Sequence, residues 1–219
     1  MNPLVSLLSL LASDNCISCG GSGAVLCQNC IDILWYPPSC FICGRINESS
    51  LTCNGCKSKT PLTSLNFSSE YAELAKVLVR TMKFRPSRIA ARDISRALHS
   101  ELSLGSGTVV TYVPTPSSRI RERGFDHARL IARLYSRRIN TPFKQLIERK
   151  HDVRQVGANK TMRIEQMKGA FEFKGHKIPD KVLLIDDVVT TGATIESAAR
   201  ALKKAGVKEV HGIVFARTV

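Results

Sequence analysis

Along the second half of the chain, short runs of β-branched and apolar residues alternate with stretches whose apolar positions recur every three to four residues. Residues 108–113, 181–185 and 210–215 have the length and composition of strands buried on both faces. From 70 to 83, Tyr71, Leu74, Ala75, Leu78 and Met82 share one helical face, and Lys76, Arg80 and Lys83 lie on the other. Residues 87–102 repeat the scheme, with Ile89, Ile94 and Leu98 inward and Arg88, Arg92 and Arg96 in an i, i+4, i+8 row. A third helix is predicted over 125–138, with Arg129, Arg133 and Arg137 at the same spacing. The last, over 194–205, turns Ile195, Ala198, Ala199 and Leu202 inward and ends before Gly206, a natural C′ residue. Strands alternating with helices predict an α/β domain around a parallel sheet.

The first 60 residues follow neither period. All eight cysteines lie there, as four C-x-x-C pairs: Cys16/Cys19, Cys27/Cys30, Cys40/Cys43 and Cys53/Cys56. Two thiolates on one tight turn can share a tetrahedral cation, and four pairs supply ligands for two zinc ions. Gly20 and Gly44 directly follow the second cysteine of pairs one and three, where a knuckle turn favours positive φ. Consecutive pairing, giving two ribbons in series, is favoured; crossed and nested pairings also satisfy the count. A redox dithiol would need one pair, and a disulfide framework would need an oxidising compartment. A segment this short holds too few apolar residues to fold without its ions.

Charge divides the chain at the same place. Residues 1–60 hold three basic residues (Arg45, Lys57, Lys59) and three acidic ones (Asp14, Asp32, Glu48), so the net charge of +14 falls entirely on residues 61–219. A zinc-ribbon module over 1–60 and a basic main domain over 61–219 are predicted, with 60–64 as the linker. No apolar run reaches the ~18 to 20 residues of a membrane span. The apolar start, residues 1–13, has no basic n-region and reads as a buried helix or surface strip rather than an export signal.

Residues 182–194 carry the candidate chemistry. Four apolar residues lead up a strand to Asp186 and Asp187, and Thr190, Thr191, Gly192, Ala193 and Thr194 open the next helix. Ligands of open α/β sheets bind at that edge. Small residues let backbone N–H groups approach a phosphate, threonine hydroxyls donate, and the helix N-terminus adds positive potential. Adjacent acids above such a loop can accept hydrogen bonds from the cis-diol of a ribose, so a ribose 5-phosphate accounts for both halves.

The order D-D-x-x-T-T-G-x-T resembles the phosphoribosyl-diphosphate (PRPP) motif of type I phosphoribosyltransferases. A second block, Val113-Pro-Thr-Pro-Ser-Ser-Arg-Ile-Arg-Glu-Arg-Gly124-Phe125-Asp126-His127-Ala128, resembles the signature of the competence protein F (ComF) family, which joins a cysteine module to a phosphoribosyltransferase domain. Lys83-Phe84, the segment from Arg154-Gln155 to Ala170-Phe171, and the cysteine pairs extend the resemblance over nearly the whole chain. Asp126 and His127 stand where the family usually has Asn and Gln, Pro86 where a glycine is common, and Gln166 where Asn is expected. A helix-start histidine such as His127 is more often a surface or capping group than a base.

The resemblance implies a type I phosphoribosyltransferase-like parallel sheet flanked by helices, with a small N-terminal zinc-ribbon module. It implies that Asp186 and Asp187 hold the ribose hydroxyls as the catalytic acids, that 190–194 wrap the 5′-phosphate, and that Thr115, Pro116, Ser117 and Ser118, with Arg119 nearby, take the diphosphate. Mg²⁺ on diphosphate and ribose oxygens is expected, and residues 151–168 resemble a lid over PRPP. Whether the enzyme turns PRPP over, and onto what acceptor, is not legible; nor is the oligomeric state.

The basic helices add a partner. Lys76, Arg80, Lys83, Arg88, Arg92 and Arg96 could track a nucleic-acid backbone, in a salt-sensitive and weakly selective way. Joined to the resemblance, this implies a cytoplasmic factor of natural transformation, at the inner face of the membrane, that handles incoming single-stranded DNA with other competence proteins. The alternative is a catalytic phosphoribosyltransferase of nucleotide metabolism with a zinc-stabilised tail.

Overall fold

The computed structural model describes residues 15–48, 51–84, 88–98, 105–150 and 169–218. The apolar start 1–13, Pro86, Gln166 and the expected lid 151–168 lie outside these residues.

In chain order the described residues form helix α1 (Gln28–Asp32), a 3-10 turn (Asn54–Lys59), strand β1 (Ser64–Glu70) and helices α2 (Glu73–Phe84) and α3 (Arg88–Ala97). Strand β2 (Thr108–Tyr112), helices α4 (Ser117–Arg123) and α5 (His127–Arg138), and strands β3 (Ile147–Arg149) and β4 (Phe171–Phe173) follow. Strand β5 (Lys181–Val189), helix α6 (Ala193–Lys204) and strand β6 (Glu209–Arg217) complete the fold. Four strands make one parallel sheet in the order β1-β6-β5-β2, and β3 and β4 pair as a separate antiparallel ribbon.

Alternation along β5 shows why its run is apolar throughout. Leu183 and Ile185 pack with Leu78, Met82, Ile94 and Ile131 from α2, α3 and α5, while Val182 and Leu184 pack with Ile195, Ala198 and Leu202 of α6. The sheet is therefore covered on both faces, as a parallel sheet requires.

Three expectations change. The helix predicted over 125–138 begins at His127, because Gly124, at φ +81°, closes the separate α4 and Asp126 caps α5 by accepting from Arg129 N at 3.2 Å. Ile89 is exposed rather than inward; the inner face of α3 instead carries Ala90, Ala91, Ile94 and, fully buried, Asp93. The expected linker 60–64 is packed: Leu62 is buried, Thr63 N donates to Val210 O at 2.8 Å, and Ser64 opens β1.

The cysteine segment docks on the sheet domain through polar contacts from both sides. Asp93 Oδ2 accepts from Val25 N at 2.9 Å and Leu26 N at 3.1 Å. Arg96 reaches Gln28 Oε1 at 2.7 Å, and Arg217 reaches Phe41 O at 3.3 Å. Val25, Leu26 and Ile31 join the core beneath α2, α3 and α5, and Phe41 joins the core on the α6 side.

Candidate functional site

Strand β5 continues through both acids, which pair beside Val214 and its neighbours of β6, so the carboxylates lie within the strand rather than past its end. Asp186 is 8% and Asp187 5% exposed, and neighbouring strand residues face opposite sides of the sheet. Asp187 Oδ2 takes an ion pair from Lys83 Nζ, and His127 Nε2 lies 3.4 Å from the same oxygen. Asp187 N donates to Asp186 Oδ1 at 2.9 Å.

These partners separate the two acids electrically. Burial, together with the neighbouring Asp187 charge, pushes the Asp186 carboxyl well above its usual range. Burial acts on Asp187 in the same sense, but the Lys83 ammonium and His127 overcome it and hold that carboxyl below the usual range. The two carboxyls are thus pushed in opposite directions, with Asp187 set against a lysine. Arg123 extends the cluster: its Nη1 lies 3.3 Å from His127 Nδ1, its guanidinium sits 5.7 Å above the Phe84 ring, and burial followed by the Arg119 charge lowers its pKa.

Neither Lys83 nor His127 was placed here by periodicity. Lys83 was expected on the outer face of α2, yet it stands in the last turn, where an acid within reach turns the stem inward. His127, expected at the surface, is buried at the start of α5. The available signal was the Lys83-Phe84 pair and the departure at His127, each notable only through the resemblance.

The loop after β5 opens α6 through Gly192 at φ +81°, a left-handed conformation suited to glycine. Ala193 N donates to Thr191 Oγ1 at 3.3 Å, Thr190 is exposed, and Thr194 lies inside the helix as its second residue rather than at its cap. A Cβ on Gly192 would come within 2.9 Å of the Phe41 ring, so the chain between Cys40 and Cys43 touches the loop directly.

Thr115 is held by Asp126, which accepts from Thr115 Oγ1 at 2.8 Å and from Thr115 N at 3.3 Å. Pro116 caps α4, so Ser117, Ser118 and Arg119 form a helical turn, and Arg119 pairs with Glu122 at 3.3 Å. Asp126, a departure from the family pattern, clamps this turn and caps α5 at once.

The cysteines gather as two sets in series. The sulfurs of Cys16, Cys19, Cys27 and Cys30 lie within 4.8 Å of one another, as do those of Cys40, Cys43, Cys53 and Cys56. Cys19 and Cys27 are 3.6 Å apart and Cys43 and Cys53 3.7 Å, spacings that suit thiolates on a tetrahedral ion with metal–sulfur bonds of about 2.3 Å. Gly20 and Gly44 take φ of +76° and +71° and donate to Cys16 O and Cys40 O at 2.8 Å. Burial opposes ionisation of Cys16, but N–H groups of Cys19, Cys27 and Ser18 bring its thiol down to about 6; Cys40 is brought to about 6 in the same way. The donor sets fit zinc.

The expected nucleic-acid row is broken by the fold. Lys76, Arg80 and Arg88 are exposed. Lys83 belongs to Asp187, and Arg92 and Arg96 pair with buried Asp93 at 3.5 and 3.3 Å while reaching into the cysteine segment.

The Phosphoribosyl transferase domain model matches residues 126–218. Competence protein F of Haemophilus influenzae is 27% identical over 90% of this chain and 93% of its own length. Competence protein ComFC of Bacillus subtilis is 29% identical over 76% of this chain and 72% of its own, and the DNA utilization protein YhgH of Escherichia coli K12 is 26% identical over 82% and 84%. Among solved structures, orotate phosphoribosyltransferase from Aeropyrum pernix is similar with a TM-score of 0.40 and 15% identity, over 66% of this chain and 93% of that one. The parallel sheet, the acid pair on its third strand in order and the loop beyond it define a phosphoribosyl transferase domain. With two four-cysteine clusters before that domain, the chain resembles the ComF/ComFC proteins over most of its length.

Proposed function

We propose that this chain is a DNA-handling factor of natural transformation whose sheet domain, 61–219, binds PRPP and whose segment 1–60 carries two zinc ions. The observation that carries the reading is the pair Asp186 and Asp187: adjacent, buried and ion-paired to Lys83 through Asp187, just before a loop that opens a helix through a left-handed glycine. Carboxylate oxygens accept hydrogen bonds, and the hydroxyls of a ribose cis-diol donate them, so the diol complements the pair. Thr190, Thr191, Gly192, Ala193 and Thr194 receive the 5′-phosphate at the helix N-terminus. Thr115 to Arg119 face the diphosphate.

The acid pair does not fit a protein-held magnesium ion. Lys83 already neutralises Asp187, and burial disfavours the charged form of Asp186, so Mg²⁺ would enter on the ligand's diphosphate. Zinc, when bound, ties each set of four thiolates into a tetrahedron and supplies stability that a short segment lacks. The relatives' names, competence and DNA utilization proteins, support DNA as the partner, and Lys76, Arg80 and Arg88 remain exposed to meet it. No helix among the described residues is long and apolar enough to cross a membrane.

Isothermal titration with PRPP tests the pocket. Asp186→Ala with Asp187→Ala should abolish the binding isotherm while leaving two zinc ions per chain; unchanged affinity would sink the reading. Catalysis is a second reading, favoured by His127, buried against Asp187 where it can carry a proton. It predicts diphosphate release that depends on an acceptor and is lost in His127→Asn.

A further inference from the structure

Pairing divides the basic residues into those the fold has claimed and those it has not. Lys83, Arg92, Arg96 and Arg119 have carboxylate partners, Arg138 donates to Arg96 O and Leu98 O, and Arg217 is tied to Phe41 O. By contrast, Arg129, Arg133 and Arg137 are exposed on α5. They stand four residues apart, hence about 6 Å apart along the helix axis. All three line an open groove of about 700 Å³, whose other walls are Ser136, Asn140, Thr141, Pro142 and Phe143, with no carboxylate in the lining.

The floor of the groove is rigid. Residues 142–144 are bonded to the outer edge of β2, through Val110 N to Pro142 O at 2.8 Å and Lys144 N to Val110 O at 3.0 Å, and Phe143 stacks on Tyr112 at 6.0 Å. A helix row of guanidinium groups with no carboxylate partner among the described residues, beside a fixed floor that carries no acid among them, selects a ligand with regularly spaced negative charge. The step of about 6 Å matches the spacing of phosphates along an extended strand rather than a compact anion, which would use one arginine or two.

We infer that the α5 groove, through Arg129, Arg133 and Arg137, is the track on which the phosphate backbone of single-stranded DNA lies. The inference rests on the DNA-handling reading above and changes its location from α2 and α3 to α5. Phosphate contacts of this kind position a strand without reading its bases, so affinity depends on salt and little on sequence.

Fluorescence anisotropy of a labelled oligothymidylate, measured with the full zinc-loaded chain over a series of salt concentrations, tests it. Replacing Arg129, Arg133 and Arg137 by Glu should reduce the slope of log affinity against log salt by about 2, from ~0.7 per lost phosphate contact on a single strand. The Gln triple variant, which leaves the helix uncharged, should give a similar loss of slope and covers the case in which the Glu variant fails to fold. Lys76→Glu with Arg80→Glu should change the slope less. An unchanged slope in the α5 variants, with the wild type binding, overturns the α5 track and leaves DNA handling standing. Loss of binding to anionic phospholipid vesicles with oligonucleotide binding intact also overturns it. Failure of the wild type to bind at low salt removes the DNA reading itself.

Discussion

Replacing Gly192 by alanine puts one methyl group at the junction between the cysteine segment and the loop after β5. Two costs follow. At φ +81° an L-residue is strained by about 1–2 kcal/mol, and the new Cβ meets the Phe41 ring at 2.9 Å, an overpacking worth about 1–3 kcal/mol. The smaller unfolded-state entropy of alanine returns about 0.4–1 kcal/mol, so the net loss should be roughly 1–4.6 kcal/mol. For a chain of this size the melting temperature falls by about 2–4 °C per kcal/mol. The two costs separate in a double-mutant cycle, measured by urea unfolding with zinc held saturating. In a Phe41→Leu background the ring is gone and only the backbone strain remains, so the coupling between the two substitutions should recover much of the ~1–3 kcal/mol steric part. PRPP affinity, read in parallel, should recover partly with it. Additive effects, within about 0.5 kcal/mol, would refute the contact as the cause, because independent sites add.

Three further outcomes are expected. Lys83→Met leaves the Asp187 charge buried without its cation; chemical unfolding should show a loss of about 3–5 kcal/mol, and the infrared carboxyl band of Asp187 should move to the protonated position at neutral pH. Asp93→Ala strips the acceptor from Val25 N and Leu26 N and from two arginines; limited proteolysis should then cut between residues 15 and 48 while β5 and β6 stay protected in hydrogen exchange. His211 is buried beside Glu209 and Ser64, and burial lowers its pKa despite Glu209. Because the unfolded chain binds the proton more readily, stability should be full above the unfolded value of about 6.5 and decline as pH falls below it. His211→Asn should flatten that part of the stability profile.

What the sequence made legible was set by pattern strength. Runs dominated by apolar and β-branched residues gave β2, β5 and β6, since strands buried on two faces favour such residues. Strand β1 carries Ser64, Asn66, Ser68 and Ser69, all buried, and gives no strand signal in the sequence; Ser64 meets His211 Nδ1 at 2.8 Å and Ser69 donates to Phe215 O at 3.1 Å, partners that only the fold supplies. Asp93 was hidden for a related reason: flanked by arginines on a basic helix it reads as surface, and its true partners are backbone N–H groups 67 and 68 residues away. The acid pair and its loop were readable because their order is chemical rather than periodic. Lys83 and His127 were not, since both reach Asp187 from other elements, and helical spacing assigns a face but not what a long side chain finds beyond it. The cysteine spacing announced ligand chemistry, and the fold selected consecutive sets from the three pairings the count allows.

The bonds from Asp93 to Val25 and Leu26 span 68 and 67 residues, and those from Arg217 to Tyr36 and Phe41 span 181 and 176. During synthesis at about 5–20 residues per second, the first dock for the cysteine segment therefore arrives roughly 3–14 s after that segment, and the second only as the last strand is made. Through this interval the nascent thiols face the cell without a protein surface to shield them. Cells short of zinc would be expected to lose newly made chains to oxidation or proteolysis while completed ones persist, so that supply of the metal sets abundance at translation rather than activity afterwards.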